Sequence, residues 1–178
     1  MAPVYWINEK RVLKQPGDGH CLVHSVLASL SKSSIVAVPS YEGLLQMLRF
    51  EIMNNLSYYK EFINQADQDN ADIEADVDRY INEKQYGKDT MDLIISALAN
   101  CLGVVLRIFE RFGEQFTLYT VPITPARRGE PARAVLDVLR TPGHHDALVD
   151  MRSSQSGKLH MNLFQSIKQI FIMTSFQQ

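Results

Sequence analysis

Cysteine is scarce: Cys21 and Cys101 are the only two in 178 residues. They stand far apart, which fits neither a disulfide framework nor a zinc ribbon of paired cysteines. A reducing, cytoplasmic setting is the default expectation for such a chain. Long apolar runs are missing too; none approaches the roughly 18 residues of a membrane span, so no membrane partner is expected. Positive charge is in short supply, with 18 Lys and Arg against 20 Asp and Glu and a net charge of −2. That balance is a poor match for a phosphate backbone, and no nucleic-acid partner is expected. Met1 to Lys14 lacks the apolar centre of a signal peptide. Internal repeats and low-complexity tracts are absent as well.

Between residues 67 and 78 Lys and Arg vanish altogether, while Asp67, Asp69, Asp72, Glu74, Asp76 and Asp78 accumulate. A calcium loop is excluded by its own turn, because its sixth position needs Gly and Asp72 stands there. The run reads instead as the solvated face of a helix over 71–84, whose buried side is Ile73, Val77, Tyr80 and Ile81. Its charge could also steer a basic partner surface.

What remains is ordinary globular material, 46% hydrophobic and 21% charged, enough to bury one core. One domain is expected over 1–150. Residues 151–158 are polar and linker-like, and 159–178 form an amphipathic tail with Leu159, Leu163, Ile167, Ile170 and Phe171 at helical spacing. Short strands are expected within 4–14 and a helix from Cys21 that ends near the polar cluster Ser31–Ser34. Ser40 is placed to cap a helix carrying Leu44, Leu45, Leu48, Ile52 and Leu56. Asp89 or Thr90 then opens another helix, which Gly103 ends. Strands follow over 104–109, 115–121, 135–139 and 144–149, the last after a Pro142-Gly143 turn.

Two stretches carry chemistry. In Pro16-Gly17-Asp18-Gly19-His20-Cys21-Leu22 a tight loop feeds a helix whose first residue is a cysteine. There the unpaired N–H groups and the positive end of the helix dipole favour thiolate, and the same loop can aim N–H groups at an oxyanion. In Gly143-His144-His145-Asp146-Ala147-Leu148 two histidines compete for the role of base. On an extended segment residues i and i+2 share a face, so His144 sits with Asp146 and gains an orienter. His145 faces the other way. Spacing therefore favours a Cys21, His144, Asp146 triad.

The Gly17–Leu22 box resembles the Gly-Asp-Gly-Asn-Cys-Leu box of the ovarian-tumour (OTU) family of cysteine proteases, mostly deubiquitinases. Gly143–Leu148 resembles that family's closing histidine motif, with His145 at its aromatic position, and Tyr86-Gly87 resembles its aromatic-Gly pair. The resemblance covers roughly residues 10 to 150. It implies an α/β (α+β) papain-like fold with a small central β-sheet flanked by helices. The activity it implies is cleavage after the C-terminal glycine of ubiquitin, polyubiquitin or a ubiquitin-like modifier, by a monomer that needs no cofactor. Asp18 is then expected to shape the oxyanion loop. Gly19, His20 and His145 are expected beside the substrate, and Tyr86 and Gly87 along a narrow cleft.

The chain departs from the family's pattern at His20, Val23 and His24. His20 and His24 stand four apart, which raises a rival reading as zinc ligands. Gln15, six before Cys21, would suit the oxyanion glutamine of papain-type enzymes. No Trp stands near the cysteine, however, and Asp146 is a closer orienter than any later Asn. A catalytically silent, ubiquitin-binding module is the alternative from another functional class.

Overall fold

The β-branched and alternating segments of the second half assemble, with two short N-terminal strands, into one sheet. A computed structural model describes residues 6–7, 10–33, 37–62, 72–86, 91–112, 115–121 and 131–150. The tail at 159–178, the linker at 151–158, Gly87, and the capping positions 89 and 90 lie outside the described residues. The strands are β1 (Trp6–Ile7), β2 (Lys10–Leu13), β3 (Val105–Phe112), β4 (Gln115–Val121), β5 (Val135–Thr141) and β6 (His144–Asp150). Their order in the sheet is β1-β2-β6-β5-β3-β4. All neighbours are antiparallel except β3 and β5.

Helices α1 (Cys21–Leu30), α2 (Tyr41–Asn54), α4 (Ile73–Glu83) and α5 (Met91–Leu102) follow the predicted spacings closely, with a single turn, α3 (Leu56–Tyr59), after α2. Local chemistry sets their ends. Ser40 Oγ accepts from the Gly43 N–H at 3.0 Å and caps α2, and the Asp72 carboxylate accepts from the Ala75 N–H at 2.9 Å and caps α4. After α5, Gly103 takes φ +62°. The Val104 N–H then reaches Ala99 O and the Gly103 N–H reaches Asn100 O, the paired bonds of a Schellman stop.

Helix α1 packs across β5 and β6, and α5 lies against β3 and β4. They cover the sheet face that carries Leu106, Ile108, Leu136 and Val138, and all of these join one core with Leu22, Val26, Leu93 and Leu98. A smaller cluster of Val12, Phe109, Leu139 and Leu148 sits on the opposite face. Among the described residues no helix is long and apolar enough to cross a membrane.

The β5–β6 hairpin positions the histidines. Pro142 and Gly143 form a two-residue turn, with φ +71° at Gly143, the Pro-then-Gly pattern of a type II turn. The turn pairs Thr141 with His144 and Arg140 with His145. Because β6 alternates, His145 and Ala147 face α1, while His144, Asp146 and Leu148 face away.

Candidate active site

Cys21 is the first residue of α1 and is 3% exposed. No side chain caps this helix, so its first-turn amides remain available to a developing negative charge. The imidazole set against the sulfur is that of His145. Cys21 Sγ lies 3.7 Å from His145 Nδ1, within contact range for a thiol donating to a ring nitrogen. The expected pairing of Cys21 with His144 is therefore corrected. His144 does share a face with Asp146, at 3.0 Å between Nε2 and Oδ1, but that face points away from α1.

Asp146 has a different task from the one expected of it. It is buried, and its carboxylate accepts from Lys14 Nζ at 2.6 Å, the Gln15 N–H at 2.9 Å and His144. Burial pushes its pKa up, but Lys14, the Gln15 amide and His144 outweigh that and hold it below the usual range. The residue thus pins the segment that leads into the Cys21 loop to β6. Among the described residues nothing accepts from His145 Nε2, which is fully buried. Ala147, two places on, has no group to offer.

The loop from Gly17 to His20 is clasped by α4. Asp18 Oδ1 accepts from the His20 N–H at 3.0 Å, an Asx turn, and Oδ2 meets Lys84 Nζ at 2.6 Å and His24 Nε2 at 3.2 Å. Lys84 above all, then the His20 amide and His24, hold this carboxyl far below its ordinary value. Gly19, at φ +88°, lies against the carbonyl of Lys84 so closely that a Cβ would fall 1.9 Å from its oxygen.

His20 is buried completely, which corrects its expected place beside the substrate. Its Nε2–H donates to Tyr80 O at 2.6 Å, and Nδ1 accepts from the Tyr41 hydroxyl. With both ring nitrogens engaged it cannot share a zinc ion with His24, whose ring stacks on Tyr41 at 5.0 Å. Tyr86 is half-buried and donates to the Tyr80 hydroxyl at 3.3 Å. The Gln15 amide donates to Leu13 O at 2.9 Å rather than serving an oxyanion. Lys84 and Tyr41 were not singled out by the sequence, and Tyr80 was expected only on the buried side of its helix; long-range contacts reveal their part in holding the loop and His20.

Burial also sets the charge state. It pushes the Cys21 thiol up, against the pull of nearby backbone amides. The same burial, helped by Arg140 and His144, brings His145 down to about 4. The resting pair is a neutral thiol and a neutral imidazole. His20 is lowered as well, by burial first.

Both histidines must therefore gain a proton on acid unfolding. Their contribution to stability is complete above the unfolded value near 6.5 and is lost as pH falls below it, for His145 down to about 4. For His145 alone this amounts to about 3 kcal/mol. Urea unfolding between pH 7.5 and 4.5 is expected to show the loss beginning below 6.5, and His145→Gln should flatten it. Identical slopes in the two proteins would remove this account.

No family model matches the sequence, and neither does any curated protein. Solved structures do resemble it. An OTUD1 OTU domain superposes with a TM-score of 0.58 at 15% identity, covering 79% of this chain and 86% of that one. An OTU deubiquitinase from Wolbachia pipientis wMel bound to ubiquitin gives 0.55 at 18%, covering 81% and 98%. The viral OTU domain protease of Dera Ghazi Khan virus gives 0.57 at 18%, covering 84% and 87%.

Proposed function

We propose, starting from the OTU fold of this chain, that it is a cysteine hydrolase of the isopeptide bond after the C-terminal glycine of ubiquitin or a ubiquitin-like modifier. The observation that carries the reading is the placement of Cys21, at the open start of a helix, against the buried ring of His145. The Wolbachia neighbour, bound to ubiquitin, supports the choice of substrate.

The chemistry follows from that contact. His145 Nδ1 takes the Cys21 proton as the sulfur attacks the glycyl carbonyl. The amides of Cys21 and Leu22, which act on the sulfur already, are the candidates to hold the oxyanion, since the His20 N–H is given to Asp18. The imidazolium hands its proton to the departing lysine nitrogen as the C–N bond breaks and a thioester remains. Water, deprotonated by the neutral ring, then cleaves the thioester, and the proton returns to the sulfur. Asp18 and Asp146 hydrogen-bond to the loop rather than to this ring. A reducing, cytoplasmic compartment would keep the thiol available for this work.

One observation favours the silent-module reading: no acid braces His145 among the described residues. A ubiquitin probe with an electrophilic C-terminus separates the two. Covalent labelling that Cys21→Ala abolishes is the expected result; tight binding without an adduct would replace the enzyme with a binding module.

A further inference from the structure

Helix α4 stops in a conformation that suits glycine, yet Lys84 holds the position. Its φ is +60°, and no other non-glycine residue takes a positive φ among the described residues. A left-handed stop with a Cβ is strained relative to glycine, so the reason for a lysine is to be sought in its side chain. That side chain turns onto the loop before Cys21. Its Nζ meets Asp18 Oδ2 at 2.6 Å. Beside it, the Lys84 carbonyl lies against Gly19 and the Tyr80 carbonyl accepts from His20 Nε2. The last turn of α4 thus touches three successive loop residues, and Lys84 brings the charge.

Both partners are open to water, at 42% and 31% side-chain exposure, and an ion pair so placed adds little to folding. Its effect is local. Asp18 Oδ1 holds the His20 N–H, so the carboxylate sets the turn from which the Cys21 amide emerges. Asp18 stands three residues before the nucleophile, and its charge is felt there: it pushes the Cys21 thiol up, after the larger effect of burial. A bare carboxylate at this place would oppose an oxyanion on the neighbouring amides. His24 Nε2 meets the same oxygen at a longer 3.2 Å; the ammonium is the closer partner. We propose that Lys84 is a positioning residue for the hydrolysis, its ammonium holding Asp18 in the turn that presents the Cys21 amide and cancelling the negative charge beside the forming oxyanion. The inference rests on Cys21 as the nucleophile in the reading above.

The test uses the full chain and ubiquitin whose C-terminal glycine carries a fluorogenic aminocoumarin amide. Lys84→Met should lower kcat about 10–100-fold, the scale of a misplaced or opposed oxyanion site, with KM within about twofold. Lys84→Arg, which keeps the charge, should retain most of the wild-type kcat. Adding Asp18→Asn to Lys84→Met should regain most of the loss, because the amide oxygen still accepts from the His20 N–H and brings no charge. A merely structural clasp would gain nothing from that second change. Alkylation of Cys21 by iodoacetamide, which builds no oxyanion, should slow no more than about threefold in Lys84→Met. A folded Lys84→Met protein with wild-type kcat overturns the proposal. So does a loss that Asp18→Asn leaves in place, or one that alkylation shares in full. If Lys84→Met does not fold, Lys84→Gly, which the left-handed stop accepts, takes its place with the same expected and overturning results. A wild type without turnover sinks the hydrolase reading and this inference with it, whereas the other adverse results leave that reading standing, so the two failures are distinguishable.

Discussion

Replacing His145 by Gln lowers the rate constant for labelling of Cys21 by an electrophilic ubiquitin probe about 10²–10⁴-fold, the usual worth of a positioned base. Replacing His144 by Gln leaves that rate within about tenfold. The difference follows from placement alone. His145 Nδ1 is the ring nitrogen that meets the sulfur. His144 contributes one of three bonds to Asp146, and Lys14 and the Gln15 amide keep that carboxylate in place without it. Labelling rates by mass spectrometry, with near-UV circular dichroism to confirm packing, decide the matter. The reverse outcome, His144→Gln silent and His145→Gln active, would restore the spacing-based triad and sink the present assignment.

The second large effect is expected at Gly19. A methyl there would meet the Lys84 carbonyl oxygen at 1.9 Å and its carbon at 2.9 Å. Both are backbone atoms, so no side chain can rotate away; either the loop or the end of α4 must move. The left-handed φ of +88° adds its own strain for any residue with a Cβ. Gly19→Ala is expected to destabilise the protein by roughly 3 kcal/mol or more, in the range of severe backbone lesions. It should also slow labelling, since the loop ends on Cys21. Gly17→Ala is the control: the nearest atom to its added carbon is His144 Nδ1 at 4.0 Å, and a change within about 1 kcal/mol is expected. Urea midpoints of the two variants, compared with the wild type, check the contrast. Equal losses would mean that the clasp by α4 is not what fixes the loop.

Much of the fold was legible because local signals and packing agree. Ser40 caps the helix that its sequence neighbours require, Gly103 stops another in a Schellman pair, and the alternation of 144–149 forms the strand it suggests. The cysteine at a helix start was equally plain. The choice between adjacent histidines was not. The rule that i and i+2 share a face correctly joined His144 to Asp146, yet it is silent about which face meets a helix whose cysteine lies 124 residues away in sequence. That choice depends on how β6 pairs with β5 and β2. A readable hint was present: Ala147 follows His145 on its face, whereas Asp146 and Asp150 accompany His144. The acids mark the side turned from the α1 core. His20 was misjudged for a similar reason, since its two partners, Tyr41 and Tyr80, lie on separate helices that only the tertiary fold brings together.

The Pro142-Gly143 turn has a consequence of its own for how this hairpin can vary. Strand positions come in odd and even classes, and the turn decides which class looks at the thiol. Sliding β6 by one residue along β5 would exchange the two imidazoles and carry Asp146 to the sulfur's side, at the expense of Leu148 leaving its apolar cluster. Sliding it by two would keep the class but change which residue is level with Cys21. Drift in this hairpin is therefore quantised by parity, and a single inserted residue that shifted the strand would rewrite the chemistry while leaving the composition of the site almost untouched.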